Sequence, residues 1–356
     1  MTPRQRVLAA LRNQETDRIP LTVYSGLIGT DEEVKGLLGD HVTLVYWSGV
    51  HRTEYKRTTF RSEKFTEAGE ERQRNFIETP AGTVCRTYHF DPTYHTAWAI
   101  DSYVKKPDDW DVLRFMFEDA VFKPDYDAWL ERQAQYGEGA VQNTAVGRTP
   151  FQCLAYEYCG VEQLSLDYYD YPEKVGGVLD VMLARQNELD KIYAESPAEV
   201  INFPDNITSI VVGRERFQKY CMPRYAHMGK ALEGTGKILV AHMDGMLKGL
   251  ADLIANTPLT SLEAFTPSPD SDVSVADARR YWPGKQLWLN FPSSLHLSAP
   301  EVVYRETRRL IDEAAPARGF LIGVTENVPP TMWRQSMAAI DRAIEDYHKS
   351  TGMKRM

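Results

Sequence analysis

A histidine and an aspartate two residues apart end one of the most apolar segments of the chain. Residues 238–241 (Ile-Leu-Val-Ala) are typical of a buried strand, and His242 and Asp244 follow directly. Side chains at positions i and i+2 of an extended segment point the same way, so this imidazole and carboxylate could reach one ion. Alternatively, His242 is a hydrogen-bonded core residue and Asp244 a helix N-cap. Cys221, 21 residues earlier, is a candidate third ligand, although a cysteine on an apolar helix face usually belongs to the core.

Polar or acidic side chains recur where other strands are predicted to end. These strand ends supply Asp205 and Asn206, Phe265 and Thr266, Asn290 and Phe291, and Glu326. In an α/β barrel the carboxyl ends of all strands meet at one mouth, and catalysis takes place there. Any one of these residues could serve only as a helix cap. Their convergence on one mouth favours a functional site.

The pattern of apolar segments predicts the barrel that would bring these strand ends together. Five short apolar strands alternate with helices after about residue 150, as in consecutive βα units on a parallel sheet. Residues 18–24, 42–47 and 139–146 supply three earlier strands, which completes an α/β (β/α)₈ TIM barrel. Residues 50–100 are rich in Thr, Tyr, Phe and Arg and predict antiparallel hairpins inserted into this single domain of residues 1–356.

Composition excludes several classes of partner. The chain has 356 residues, 43% of them hydrophobic, and 41 basic against 50 acidic residues give a net charge of −9. Such a charge disfavours nucleic acids and anionic membranes as partners. No apolar run is long enough for a signal sequence or a membrane span, so we expect a cytoplasmic protein. Its four cysteines show no disulfide spacing, and a homodimer is the default expectation for a soluble enzyme.

Three segments resemble the uroporphyrinogen decarboxylase superfamily. They are the opening MTPRQRVLAALRNQETDRIP, the VAHMDG motif of residues 240–245, and the closing GFLIG and ENVPP segments of residues 319–330. The resemblance covers nearly the whole chain except the region around residues 50–100, and it too implies a (β/α)₈ barrel. True decarboxylases of this superfamily carry an arginine-rich MRQAGR loop after the first strand. Residues 24–29 read YSGLIG here and contain no arginine, so nothing supplies the bidentate grip on porphyrinogen carboxylates.

The other branch of the superfamily consists of zinc methyltransferases that act with a corrinoid protein. Thiol-methylating members bind zinc through an H-x-C motif and a distant cysteine; here the matching positions are His242-x-Asp244 and Glu326. The O-demethylase members carry two acidic residues and a histidine in a fixed pattern. Fourteen positions lie between the two acidic residues, and 20 lie between the second acidic residue and the histidine. Those places hold Asn206, Cys221 and His242. The resemblance therefore implies zinc bound by His242, Cys221, Glu326 and Asn206, and a corrinoid (cobalamin) carried by a partner protein.

These observations predict a zinc-dependent methyltransferase. A ligand set with at most one thiolate leaves zinc a harder Lewis acid, suited to an oxygen or amine substrate. The methyl group of a small O- or N-methylated compound, preferably a methoxyaromatic, would pass to the corrinoid cobalt. The predicted catalytic residues are Asp205, Asp244 and Glu326, and the predicted substrate-binding residues are Tyr24, Phe265, Asn290 and Phe291.

Two other functions fit the same sequence. One is a metal-free, decarboxylase-like lyase that uses Asp205 or Asp244 as its acid–base group. The other is a non-catalytic barrel that binds a tetrapyrrole or a corrinoid protein. Metal content would separate these alternatives from a zinc methyltransferase.

Overall fold

Eight parallel strands form a closed barrel, as the sequence predicts. The computed structural model describes residues 1–91 and 96–351. The strand order around the barrel is β1-β14-β13-β12-β11-β10-β9-β2. The strands are β1 (Leu21–Tyr24), β2 (Val42–Ser48), β3 (His51–Tyr55), β4 (Thr59–Glu67), β5 (Glu70–Thr79), β6 (Gly82–Asp91), β7 (Thr96–Ala99), β8 (Ala120–Pro124), β9 (Ala140–Ala145), β10 (Val200–Phe203), β11 (Ile238–His242), β12 (Ser261–Phe265), β13 (Gln286–Asn290) and β14 (Phe320–Val324).

Helices connect the barrel strands on the outside. They are α1 (Pro3–Leu11), α2 (Asp31–Leu38), α3 (Asp109–Asp119), α4 (Tyr126–Tyr136), α5 (Pro150–Cys153), α6 (Val161–Asp170), α7 (Pro172–Asn187), α8 (Leu189–Glu195), α9 (Ser209–Arg216), α10 (Met222–Ala231), α11 (Ala251–Ala255), α12 (Val275–Tyr281), α13 (Pro300–Ala314) and α14 (Trp333–Thr351). Two π-helical turns, Leu154–Tyr158 and Phe217–Cys221, interrupt this pattern. Within the described ranges, no helix has the length and apolar character needed to cross a membrane.

The first helix closes one end of the barrel and leaves the other end open. Val7 and Leu11 of α1 form a buried cluster with Val200 and Ile238, the first residues of β10 and β11. Thr2 caps α1 by accepting from the backbone N–H of Gln5. Because α1 fills the amino-terminal end of the barrel, a ligand reaches the interior from the carboxyl ends of the strands.

The insertion is larger than predicted. Strands β4 to β7 form a four-stranded antiparallel sheet, as expected for residues 50–100; residues 92–95 lie outside the described residues. In addition, β3 pairs with β8 in a separate antiparallel ribbon that extends the inserted structure to Pro124. Strand β8 directly follows helix α3, and the helical pattern there gives no sign of a strand.

The helical segment of residues 209–231 consists of three pieces. Gly213 has φ 65°, a left-handed conformation, and Pro223 lies in the first turn of α10. Proline has no backbone N–H to donate to the preceding turn, so the chain widens there into the π-helical turn that carries Cys221. This local geometry determines the direction in which the Cys221 thiol points.

Candidate functional site

A continuous chain of hydrogen bonds runs from the barrel interior to its mouth. Tyr24 donates to Glu263 Oε1, and His242 Nδ1 lies 2.9 Å from Glu263 Oε2. On the other side of the imidazole, Nε2 lies 3.5 Å from Asp244 Oδ2. Asn206 Nδ2 donates to that same Asp244 oxygen over 2.8 Å. The histidine is therefore held between two carboxylates.

The end of β11 and a bulge in β12 determine where the His242, Asp244 and Glu263 side chains point. His242 is the last residue of β11, and its neighbour Asp244 points to the same side, as the i, i+2 spacing predicts. Strand β12 contains a bulge between Glu263 and Phe265, where Ala264 has φ 53°. Bulges of this kind commonly change the direction of a side chain beside a functional site. Here the bulge lies next to Glu263, whose side chain points inward.

Glu263 is fully buried and receives three hydrogen-bond donors. Besides Tyr24 and His242, Asn202 Nδ2 donates to Glu263 Oε2 over 3.0 Å. Asn202 also donates to Asn143 Oδ1 over 2.9 Å, so polar residues of two neighbouring strands support the carboxylate. Three donors thus hold the buried carboxylate in place beside the imidazole.

The two carboxylates keep His242 protonated. Burial alone would lower the pKa of His242, but the charges and hydrogen bonds of Glu263 and Asp244 raise it to about 10. Burial tends to raise the pKa of Asp244, but the hydrogen bond and charge of His242, with the Asn206 donor, hold it below its usual value. At neutral pH the site thus contains an imidazolium, a strong hydrogen-bond donor.

A cavity of about 430 Å³ opens beside this pair at the carboxyl ends of the strands. It is lined by Tyr156, Asn206, Thr208, Asp244, Gly245, Met246 and Asp270. Its volume is in the range of small-ligand sites. His242 lies directly behind Asp244, with 11% of its side chain exposed, and its Nε2 faces the cavity through that carboxylate.

Gly245 lets two loops approach each other at this cavity. A Cβ at position 245 would lie 2.3 Å from Thr208 Cβ and 2.8 Å from the Ile207 carbonyl oxygen. We expect Gly245→Ala to push the loop of residues 206–208 away, break the Asn206–Asp244 hydrogen bond and destabilise the fold by about 1–3 kcal/mol. Urea unfolding measures this loss, and equilibrium dialysis of small ligands measures the effect on the cavity.

The matched control is Gly284→Ala. No atom lies within 4 Å of a Cβ there, and its backbone is not left-handed. We expect this variant to unfold within about 0.5 kcal/mol of the wild type. Equal stability of the two alanine variants would contradict the close approach at Gly245.

Asp205 and Cys221 belong to a second, fully buried cluster. Asp205 Oδ1 accepts from the Thr149 backbone N–H (2.6 Å) and its hydroxyl (3.1 Å), while Tyr225 donates to Oδ2 over 2.5 Å. The Thr149 hydroxyl also lies 3.3 Å from Cys221 Sγ. Burial and the nearby charge of Asp205 raise the pKa of Cys221 well above its usual value, so it remains a neutral thiol. This cluster fastens the start of α5 to the end of β10.

Glu326 and the predicted substrate-binding residues lie outside the cavity lining. Glu326 is exposed and accepts a hydrogen bond from Ser293. Asn290 accepts from the Thr325 backbone N–H and donates to Thr266 Oγ1. The remaining three are buried: Tyr24 in the Glu263 chain, Phe265 against Trp282, and Phe291 against His296. Of the predicted site residues, the structure therefore brings together His242, Asp244 and Asn206.

The predicted zinc ligands do not form one site in this arrangement. His242 Nε2 and Asp244 Oδ2 face each other, and the Glu263 contact to Nδ1 is of the kind that orients a metal-binding histidine. Cys221 contacts Thr149 instead, and Glu326 contacts Ser293. In the part of the chain that the structure describes, no three His, Cys, Asp or Glu side chains are placed to hold a metal ion. Asn206 directs its amide nitrogen to Asp244 and its oxygen to Arg148, so His242 and Asp244 are left as two converging ligands, fewer than the three of a catalytic zinc site.

Two contributors to the site were not predicted. Glu263 lies inside an apolar strand, and a single acidic residue among buried positions was the available signal. Tyr156 lies on the first π-helical turn and donates to the Asn206 carbonyl oxygen over 3.3 Å. Its region, residues 150–170, has no clear helical or strand periodicity that would place it at the mouth.

The uroporphyrinogen decarboxylase (URO-D) family model matches residues 100–347, about 70% of the chain. The fold and this match establish the class: the chain belongs to the uroporphyrinogen decarboxylase family. Among solved structures, a methyltransferase from Methanosarcina mazei is 11% identical, aligned over 98% of this chain and 99% of that one, with a TM-score of 0.57. This similarity concerns the fold.

A second solved structure is more distant. The GH20 catalytic module of a pneumococcal exo-β-D-N-acetylglucosaminidase is 10% identical, aligned over 97% of this chain and 87% of that one, with a TM-score of 0.41. No curated protein matches the sequence significantly.

Proposed function

We propose that this protein is a methyltransferase that removes a methyl group from the oxygen or nitrogen of a small substrate and transfers it to a corrinoid carried by another protein. The observation that carries the proposal is His242, held between the carboxylates of Glu263 and Asp244 beside a small cavity at the barrel mouth. The methyltransferase named among the structures of similar fold supports the same reaction class.

The step at the heart of the reaction is a displacement at the methyl carbon. An electron pair of the reduced corrinoid acceptor forms the new bond to carbon, and the carbon–oxygen bond breaks with its electron pair remaining on oxygen. Asp244, which lines the cavity, passes a proton from His242 to that oxygen, which leaves as a hydroxyl group. The pKa of a phenol is about 10, close to that of His242, so a phenolate is a well-matched leaving group.

Other residues orient His242 and bind the substrate. Glu263 and Asp244 keep the ring charged and fix its orientation, and Asn206 holds the Asp244 carboxylate. Tyr24 donates to Glu263 and acts as a positioning residue. The methylated group would occupy the 430 Å³ cavity, with the acceptor protein covering the barrel mouth.

No step of this mechanism is assigned to zinc, because the predicted ligands do not converge. His242 provides the proton that neutralises the leaving group. A Lewis acid would otherwise stabilise that group.

Decarboxylation of a porphyrinogen fits the site less well. The side chains lining the cavity include Asp244 and Asp270, and the nearby Arg148 is already engaged by Asn206 and Glu157. Two carboxylates repel a polycarboxylated substrate, and residues 24–29 contain no arginine to offset them. Asp205, one of the two acid–base candidates of that alternative, is fully buried and bonded to Thr149 and Tyr225.

The test is a direct assay of both reactions. A reduced corrinoid, free or bound to its carrier protein, is incubated with the enzyme and a panel of methoxyaromatics, methylamines and betaines. We expect the corrinoid absorption spectrum to change on methylation with at least one donor, and no carbon dioxide release from uroporphyrinogen. Porphyrinogen decarboxylation at an ordinary enzymatic rate, about 1 s⁻¹ or faster, would overturn the proposal.

A further inference from the structure

A second cavity, of about 490 Å³, lies between the inserted sheet and the first π-helical turn. The residues that line it are Phe60, Ile77, Arg86, Tyr88, Ala97, Ala99, Tyr103, Tyr156, Glu157 and Tyr158. Half of them are aromatic, which is unusual for a surface depression and typical of a site for flat apolar molecules. Tyr156 lines this cavity and the mouth cavity, so the two cavities adjoin.

One face of the four-stranded sheet forms the first wall of this cavity. Cross-strand partners in an antiparallel sheet lie on the same face. Phe60 pairs with Ile77, and Tyr88 pairs with Ala99. Alternation along each strand places the other sheet residues of the lining on that face as well. The wall therefore consists of aromatic rings on β4 and β6 and small alanines on β7, which leave space over the rings.

The opposite wall comes from the barrel side. Tyr156 and Tyr158 lie on one π-helical turn, and Tyr103 packs 5.9 Å from Tyr158, measured between ring centroids. The hydroxyl of Tyr156 points towards the catalytic site, because it donates to the Asn206 carbonyl oxygen. Tyr156 and Asp244 also line the mouth cavity together. Tyr156 thus forms the partition between the aromatic cavity and Asp244.

Charge at the rim is nearly balanced. Arg86 donates to the carbonyl oxygens of Glu157 and Asp101 and places its guanidinium over Tyr88, 5.4 Å from the ring centroid. Glu157 lies 3.2 Å from Arg148. The cavity therefore suits a neutral ring or one with a single charged substituent.

From this geometry we infer that the inserted sheet forms a binding site for the planar aromatic ring of the substrate, with the ring between the Tyr88 and Tyr156–Tyr158 walls and its methoxyl group directed past Tyr156 to Asp244. The transfer of the methyl group in this inference rests on the proposed function. Binding of the aromatic ring does not depend on methyl transfer. It gives the insertion the role of choosing aromatic over aliphatic methyl ethers.

The test is binding to the whole protein, measured by isothermal titration calorimetry without a corrinoid. The probes are dimethoxybenzoate and its saturated counterpart, dimethoxycyclohexanecarboxylate. We expect the aromatic probe to bind at least roughly tenfold more tightly, because only a flat ring stacks between the two walls. Equal affinities, or no heat from the aromatic probe at millimolar concentration, would overturn the inference.

Ala99→Phe fills the space that the ring would occupy. We expect it to weaken binding of dimethoxybenzoate roughly tenfold or more, since a filled cavity excludes its ligand. Ala81→Phe is the matched control: it is the same substitution at an exposed position between β5 and β6, outside the lining. Thermal melting verifies that both variants fold, and Tyr88→Leu removes one wall if Ala99→Phe does not fold. Unchanged affinity in the folded variants would contradict the inference.

The outcomes separate this inference from the proposed function. Tight aromatic binding that Ala99→Phe abolishes, together with no methyl transfer to any corrinoid, would retain the aromatic site and reject the reaction. Methyl transfer from an aliphatic donor that Ala99→Phe leaves unchanged would retain the reaction and reject the aromatic site.

Discussion

Replacing His242 by glutamine is expected to slow methyl transfer by roughly 100- to 10,000-fold, the range of a lost general acid. The amide of glutamine can still donate to Glu263, so the hydrogen-bond chain in the barrel persists, but it has no proton to give to a leaving oxygen. The loss should appear in kcat rather than in substrate affinity, because His242 lies behind the cavity wall. Single-turnover formation of methylated corrinoid measures this rate.

His227→Gln is the matched control for that variant. The His227 ring also lies 3.0 Å from a carboxylate, that of Asp190, but its side chain is 62% exposed and far from the cavity lining. We expect its transfer rate to stay within about twofold of the wild type. A His242→Gln enzyme that transfers methyl groups as fast as this control would remove His242 from the mechanism.

Glu263→Gln is expected to have the second largest effect, through the charge of His242. Without the Glu263 carboxylate, burial lowers the pKa of His242 and only Asp244 opposes it. The imidazolium is then lost at neutral pH, and the rate should fall roughly 100-fold and recover partly as the pH is lowered. The glutamine amide that replaces the carboxylate also faces the hydrogen-bond donors of Tyr24 and Asn202. We therefore expect the free energy of unfolding to fall by about 1–3 kcal/mol.

The pH dependence of unfolding provides an independent readout. The pKa of His242 is raised in the folded state from 6.5 to about 10, so its stabilisation is complete below pH 6.5 and is lost as the pH rises through about 10. In Glu263→Gln most of this dependence should disappear. Denaturant unfolding at several pH values measures it, and an unchanged profile in the variant would contradict the role given to Glu263.

Glu326→Gln serves as the control for Glu263→Gln and tests an expectation from the sequence. Glu326 is exposed, so we expect less than about 0.5 kcal/mol change in unfolding free energy and a nearly unchanged rate. A rate loss of roughly tenfold or more at unchanged stability would instead restore Glu326 as a ligand or acid–base group.

The sequence predicts the barrel well because short apolar strands alternate with amphipathic helices over most of the chain. It also predicts that His242 and Asp244 face each other, since two-residue spacing in a strand determines that geometry. Both conclusions depend on local periodicity.

Side-chain direction outside regular elements could not be predicted. Asn206 and Cys221 have the spacing of a metal motif, but Cys221 lies on a π-helical turn that directs its thiol to Thr149. Glu263 points into the barrel next to a bulge at Ala264, and Tyr156 lies on the other π-helical turn. These irregularities leave no periodic trace in the sequence.

The protonation state of His242 tests the central claim most directly, and ¹⁵N NMR of the labelled ring in the folded protein measures it. We predict that both ring nitrogens carry a proton at about pH 8 and that the ring loses one only as the pH approaches about 10. A neutral ring at about pH 8 would contradict this account. So would a ring nitrogen whose chemical shift indicates a bound metal and changes when a chelator is added, a result that would favour the zinc enzyme predicted from the sequence.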